Sequence, residues 1–275
     1  MTPPAPEPPA ADARPIAITL GDPCGIGPEI VLKACADRSI AVPLRVVGDA
    51  GMLAREAARL GLPMPARIDS IVDLPVDLRV GQVDARAGDA AWRFIVHAAG
   101  LALRGEVRAV VTAPIAKEAM HAAGHRFPGH TELLAELAGG ADVRMMLANP
   151  ELRTVLVSIH VSLRDALDRV TRDNVLQTIV IADAALRRAG IARPRIAVAG
   201  LNPHAGEAGM FGREELDTIG PAIAEARARG IEASGPFPPD TVFMRARGLR
   251  EFDLVVAMYH DQGLIPVKYL GIDDG

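Results

Sequence analysis

A mainly parallel α/β fold is what this chain predicts, on three observations. Short apolar runs alternate with stretches of helical length, and strands separated by helices need crossover connections. Polar clusters follow the apolar runs, as they do where ligands gather beyond the carboxyl ends of parallel strands. The 275 residues are 49% hydrophobic and 23% charged, ordinary values for a globular chain able to bury a large core.

The elements follow in order. Residues 15–20 (PIAITL) read as a strand, followed by a Gly/Pro turn and a helix from about Pro28. Residues 43–49 (PLRVVGD) form a second strand, and residues 51–61 a helix closed by Gly61. Helical periodicity runs over 90–105, then VRAVVTAP (107–114) reads as a strand leading to another helix start. A strand is predicted at 154–163, a long helix at 174–190 ending in Gly190, and a strand running into a loop at 195–206. Residues 212–230 read as a helix interrupted near Pro221, and 253–261 (DLVVAMYHD) as the last strand. Residues 1–14, rich in Pro and Ala, read as a disordered lead-in that lacks the layout of a signal peptide.

Several function classes are excluded. A net charge of −4 argues against a nucleic-acid protein. No apolar stretch reaches the length of a membrane span. Two cysteines, Cys24 and Cys35, make no disulfide framework and suit a reducing cytoplasm.

The chemistry-bearing residues cluster at strand ends. GDPCGIGPE (21–29) fails as a dinucleotide fingerprint, because Ile30 stands where a third glycine is needed. It reads equally well as a structural strand–helix turn, with Pro28 suited to a first helical turn and Glu29 to the helix dipole. His160, His204 and His260 each sit near a strand end, 44 and 56 residues apart. Such separations suit a catalytic metal site assembled from several strands, although a single histidine is more often structural. His97, His121 and His125 fall on helical or connecting stretches and read as structural. GHTE (129–132) places His130 and Thr131 at a helix start, either an anion site or an ordinary cap. Lys268, one of few lysines, follows the His260 strand.

Together GDPCGIGPEI, VTAPIAKEAMHAAGHRFPGHTELLAE, MML, LNPHAGEAGMFGREE, GPFPPDTVF and VAMYHDQGLIPVK resemble the 4-hydroxythreonine-4-phosphate dehydrogenase family over nearly the whole chain. The resemblance implies an isocitrate/isopropylmalate-dehydrogenase-like two-lobed fold, with residues 15–275 as one catalytic unit of two interleaved lobes. It implies a homodimer with a shared active site. A divalent metal (Zn, Mg, Mn or Co) would be held by His160, His204 and His260, with ligands drawn from both subunits. Substrate would meet His130, Thr131 and Lys268, with Lys268 and Asp261 at the catalytic centre and Asp261 orienting a histidine. The implied reaction is NAD- or NADP-dependent oxidation of 4-phosphooxy-L-threonine at C3, then decarboxylation to 3-amino-2-oxopropyl phosphate on the route to pyridoxal phosphate. KYLGIDDG (268–275) is more similar to relatives acting on 4-phospho-D-threonate or 4-phospho-D-erythronate. Family members continue past this point with further substrate contacts and a cofactor-binding loop. A segment of about 50 residues is therefore expected beyond Gly275, a size in keeping with ordinary domains. Without that loop, a metal- and phosphate-binding chain with no turnover is the alternative of a different class.

Overall fold

The computed structural model describes residues 12–271, so most of the expected lead-in and the GIDDG turn after Gly271 lie outside the described residues. Arg14 is already tied down, pairing with Asp12 and donating to the Gly105 carbonyl at 3.1 Å. The chain divides into two compact units, Met1–Asp142 and Val143–Gly275, each with its own sheet.

The first unit runs β1 (Ile16–Thr19), α1 (Gly27–Ala36), β2 (Leu44–Gly48), α2 (Ala50–Leu60), β3 (Ile68–Ser70), α3 (Ala85–Leu103), β4 (Ala109–Thr112), α4 (Lys117–Ala122) and α5 (His130–Leu137). Its four strands are parallel in the order β3-β2-β1-β4. Helix α2 starts where Asp49 accepts from the Met52 amide at 2.6 Å. The same buried carboxylate takes the Leu74 amide at 2.5 Å, pinning the segment after β3. Helix α3 begins five residues before the expected start, capped by Asp84. Its first turns, rich in Ala, have helix propensity without a clear apolar period. Phe94 of α3 is fully buried in one core with Leu20, Leu32 and Val46. A smaller cluster of Ile95, Met120 and Leu133, flanked by Trp92 and Phe127, seats α5.

The second unit runs β5 (Met146–Ala148), β6 (Arg153–Leu156), α6 (Leu163–Arg169), α7 (Arg172–Arg188), β7 (Ile196–Ala199), α8 (Gly220–Ala228), β8 (Ala233–Phe237), α9 (Val242–Ala246), β9 (Leu254–Ala257) and α10 (His260–Tyr269). The strand order is β5-β6-β9-β7-β8, parallel except where the edge strand β5 runs antiparallel to β6. Such an edge is common on an otherwise parallel sheet. Side chains alternate across it. Ile196, Val198, Leu254 and Val256 feed the core on one face, and Ala197, Ala199 and Val255 feed the core on the other.

Several boundaries differ from those the sequence predicts. The strand expected at 154–163 ends at Leu156, and His160 beyond it takes a left-handed backbone (φ 47°), outside the strand region. The strand expected through Asp261 ends at Ala257, and His260 opens α10 instead. Gly263 lets that helix settle on the sheet, for a Cβ there would lie 2.5 Å from Leu156 Cδ2. The interruption near Pro221 is a π-helical turn, Glu215–Ile219, that passes into α8 at Gly220.

Candidate active site

In the second unit the three strand-end histidines follow three neighbouring parallel strands. His160 comes after β6, His260 after β9 and His204 after β7, and β9 lies between the other two. Polar bonds stitch these exits together. The Val157 amide donates to the Ala257 carbonyl at 2.9 Å, and Ser158 Oγ donates to the Met258 carbonyl at 3.0 Å. Gln262 Oε1 accepts from the Met258 amide at 2.7 Å, while its Nε2 donates to the Gly200 carbonyl at 2.8 Å. Gln262 thus clips the end of β9 to the end of β7. The polar run after the last strand has a structural task.

His160 and His260 meet, with ring centroids 5.6 Å apart. Both line a cavity of about 290 Å³ together with Ser158, Leu163, Tyr259 and Asp261. His260 Nδ1 lies 2.7 Å from Asp261 Oδ1. With Nδ1–H donated to that carboxylate, the Nε2 lone pair is left for a ligand. His204 is exposed and lies elsewhere on the same sheet edge, its ring 6.2 Å from that of Phe211. Among the described residues, no three His, Cys, Asp or Glu side chains of one chain gather at metal-binding distance. The donor set still suits a borderline divalent ion, since imidazole nitrogen is a preferred ligand of such metals. Backbone strain marks the same places. His160 and His204 are both left-handed, and His204, Ala205, Glu207 and Ala208 extend the left-handed run around Gly206. That conformation costs roughly 1–2 kcal/mol per non-glycine residue, and strain of this kind gathers at functional sites.

Lys268 is exposed and does not line the His160–His260 cavity. It sits eight residues along α10 from His260, roughly 12 Å of helical rise.

In the first unit, Gly129 is the cap residue of α5 and His130 its first helical residue, with exposed Thr131 next. Thr131 is therefore not the cap that its sequence position allows. His130 Nε2 is buried and has no hydrogen-bond partner, an uncompensated cost for a polar atom. Burial pushes the imidazole below its ordinary value of 6.5, so it is neutral at pH 7. The sign of the stability effect follows. Below pH 6.5 the unfolded chain takes up a proton that the folded chain refuses, so stability present above that pH is lost as pH falls toward the folded value. A proton-NMR titration should place the His130 midpoint below 6.5. The His130→Gln variant should lose less stability than wild type between pH 7.5 and about 5.5, measured by urea midpoints. A His130 midpoint at or above the ordinary value would contradict this.

The other histidines have partners of their own. His97 Nε2 meets Asp69 at 2.8 Å. His125 stacks on Trp92 with centroids 4.3 Å apart and reaches Asp89 at 3.0 Å. His121 reaches the Phe127 carbonyl at 3.4 Å. The partners of Ser158, Gln262 and the buried Glu215 are not legible in the sequence. The available signal was a polar residue within a few positions of an apolar strand end.

Residues 25–275 match the family described as pyridoxal phosphate biosynthetic protein PdxA. A 4-hydroxythreonine-4-phosphate dehydrogenase of Beijerinckia indica is 51% identical over 281 residues, covering 95% of this chain and 82% of the relative. A D-threonate 4-phosphate dehydrogenase of Salmonella typhimurium is 47% identical over 283 residues, covering 96% of this chain and 86% of the relative. The crystal structure of a 4-hydroxythreonine-4-phosphate dehydrogenase from Klebsiella pneumoniae superposes with a TM-score of 0.85 at 48% identity, covering 97% of this chain and 86% of that one. The fold is thus the isocitrate/isopropylmalate-dehydrogenase-like α/β fold, and the chain is an oxidoreductase of the dehydrogenase type. It belongs to the pyridoxal phosphate biosynthetic PdxA family.

Proposed function

We propose that the chain oxidises the C3 hydroxyl of 4-phosphooxy-L-threonine and that the product loses CO₂ to give 3-amino-2-oxopropyl phosphate. NAD or NADP accepts the hydride from C3, and the hydroxyl proton leaves to solvent. The C1–C2 bond of the β-keto acid then breaks, CO₂ leaves, the electron pair is taken into the C3 carbonyl as an enolate, and C2 takes a proton from solvent. The observation that carries this reading is the His160–His260 pair, 5.6 Å apart at stitched strand ends within a dehydrogenase family.

We assign the metal to His160, His204 and His260, drawn from both subunits of a homodimer. When bound there, a divalent ion would supply positive charge that offsets an alkoxide and polarises a ketone at its oxygen. Asp261 fixes the His260 tautomer through the 2.7 Å contact. The phosphate is assigned to His130, Thr131 and Lys268. His130 approaches it as a neutral donor, since burial disfavours its protonated form. Lys268 brings positive charge. Two free cysteines suit a reducing cytoplasm, and among the described residues no helix is long and apolar enough to cross a membrane.

Oxidation of 4-phospho-D-threonate is the second reading, and 4-phospho-D-erythronate belongs to the same class. It is supported by the 47% identity to a D-threonate 4-phosphate dehydrogenase, only slightly below the 51% to a 4-hydroxythreonine-4-phosphate dehydrogenase. The deciding experiment incubates the protein with NAD or NADP, Zn²⁺ or Mg²⁺, and each phosphorylated acid in turn. Reduced-cofactor absorbance is followed with CO₂ release. The L-threonine derivative should give the highest kcat/KM. A higher value for a D-configured acid moves the assignment to the second reading, and no turnover with any of them removes both.

A further inference from the structure

We infer that Glu215 is a positioning residue for His204, holding the left-handed loop that presents this imidazole at the end of β7. The inference rests on His204 being a metal ligand.

Glu215 is 3% exposed, among the few buried carboxylates of the described residues. Its Oε1 accepts from the Leu201 amide at 2.8 Å and the Asn202 amide at 2.7 Å. Oε2 accepts from Asn202 Nδ2 at 3.0 Å. A second donor contact from Asn202 Nδ2 goes to Glu214 Oε2 at 2.7 Å. One carboxylate therefore gathers the two residues that leave β7 just before the left-handed run.

The loop is shaped around that carboxylate. Five consecutive residues, His204–Ala208, have positive φ, and four of them carry side chains that disfavour it. A run of this kind persists only when its surroundings over-determine it. The surroundings here are Glu215 and two glycines. A Cβ at Gly206 would lie 2.6 Å from Glu215 Oε2, and one at Gly200 would lie 3.1 Å from Oε1. Both positions must lack side chains for the chain to close on the carboxylate. Glu215 itself opens the π-helical turn Glu215–Ile219, whose last residue, Ile219, is anchored in the core. Core packing thus fixes the carboxylate, the carboxylate fixes Leu201 and Asn202, and the strained turn that follows aims His204.

None of this geometry places Glu215 on a reacting atom. Its effect should reach the metal only through His204, as it does for groups that orient metal ligands and whose loss costs about 10–100-fold in metal affinity.

The test uses the full chain and Co²⁺ as probe. Affinity is read by chelator competition and by the visible absorption of the bound ion. Hydrogen exchange of the 201–208 amides is read separately on metal-free protein. In Glu215→Ala, Co²⁺ affinity should fall by about 10–100-fold, with a changed absorption band and faster exchange at 201–208. Glu215→Gln keeps one carbonyl for the two backbone amides and should recover most of the affinity. If Glu215→Ala does not fold, Gly206→Ala serves, since its methyl crowds Oε2 while leaving the carboxylate in place, and the same loss of affinity is expected. His204→Ala, run in parallel, separates the two ideas. If His204→Ala loses Co²⁺ while Glu215→Ala or Gly206→Ala binds like wild type, the positioning role is wrong and the ligand assignment stands. If His204→Ala binds Co²⁺ like wild type, the ligand assignment is wrong. In that case unchanged exchange at 201–208 in the Glu215 variant also overturns the loop anchor.

Discussion

His260→Ala is expected to reduce turnover by about 10³-fold and to strip the divalent ion from the purified protein, while the far-UV spectrum stays that of wild type. The size follows from the charge a bound cation contributes to an alkoxide-forming step, several kcal/mol, at about 1.4 kcal/mol per tenfold. The fold should survive because the ring is partly exposed and opens α10 without capping it. The helix is held instead by buried Leu264 and Val267 and by the close approach at Gly263. Metal content by elemental analysis and kcat with saturating cofactor are the two measurements. Full metal occupancy in the variant would remove His260 from the ligand set. Asp261→Asn should behave differently. It replaces a charged acceptor with a weaker one at the 2.7 Å contact to Nδ1, so metal affinity should weaken while occupancy at high metal concentration is kept.

Leu133→Ala should act on the first unit with a comparable reach. Leu133 is 1% exposed in the small cluster with Ile95 and Met120 that seats α5. Truncating it leaves a cavity and should cost about 2–5 kcal/mol, read from urea unfolding. The same helix carries His130 and Thr131 in its first turn, so the variant should also raise KM for the phosphorylated substrate more than KM for the cofactor. Leu133→Met, close in volume, should cost less than about 1.5 kcal/mol and restore the KM. A Leu133→Ala variant with large destabilisation but unchanged substrate KM would detach α5 from the phosphate.

The sequence by itself determined the class of the fold and the identity of the chemical groups. Runs such as Val255-Val256 and Ile196-Ala197-Val198 are apolar at every position, the mark of strands covered on both faces, and the helical stretches between them force parallel crossovers. The family was legible for a related reason. Segments such as NPHAGE and YHDQG combine residue types that neither core packing nor turn formation requires together.

What the sequence could not give is where each apolar run stops. Extension of the β6 run through His160 and of the β9 run through Asp261 is compatible with local propensity. Only tertiary contacts end those strands early and turn His260 into the start of a helix. The strands β3 (IDS), β5 (MLA) and β8 (ASGPF) escaped for a different reason, since two of them are three residues long and the third carries a Gly-Pro pair, so none offers an apolar run long enough to read as a strand. The partnerships are tertiary as well. Gln262 bonds to Gly200, 62 residues away, and Glu215 to Leu201, 14 residues away. A hydrogen bond depends on distance and direction in space, and nothing local to a glutamine or a glutamate in a sequence reveals which amide it will meet after the sheet has closed. The left-handed turn at His204 belongs to the same category. Local preference disfavours it at four of its five residues, and it exists because the buried carboxylate and the glycines around it leave the chain no other path.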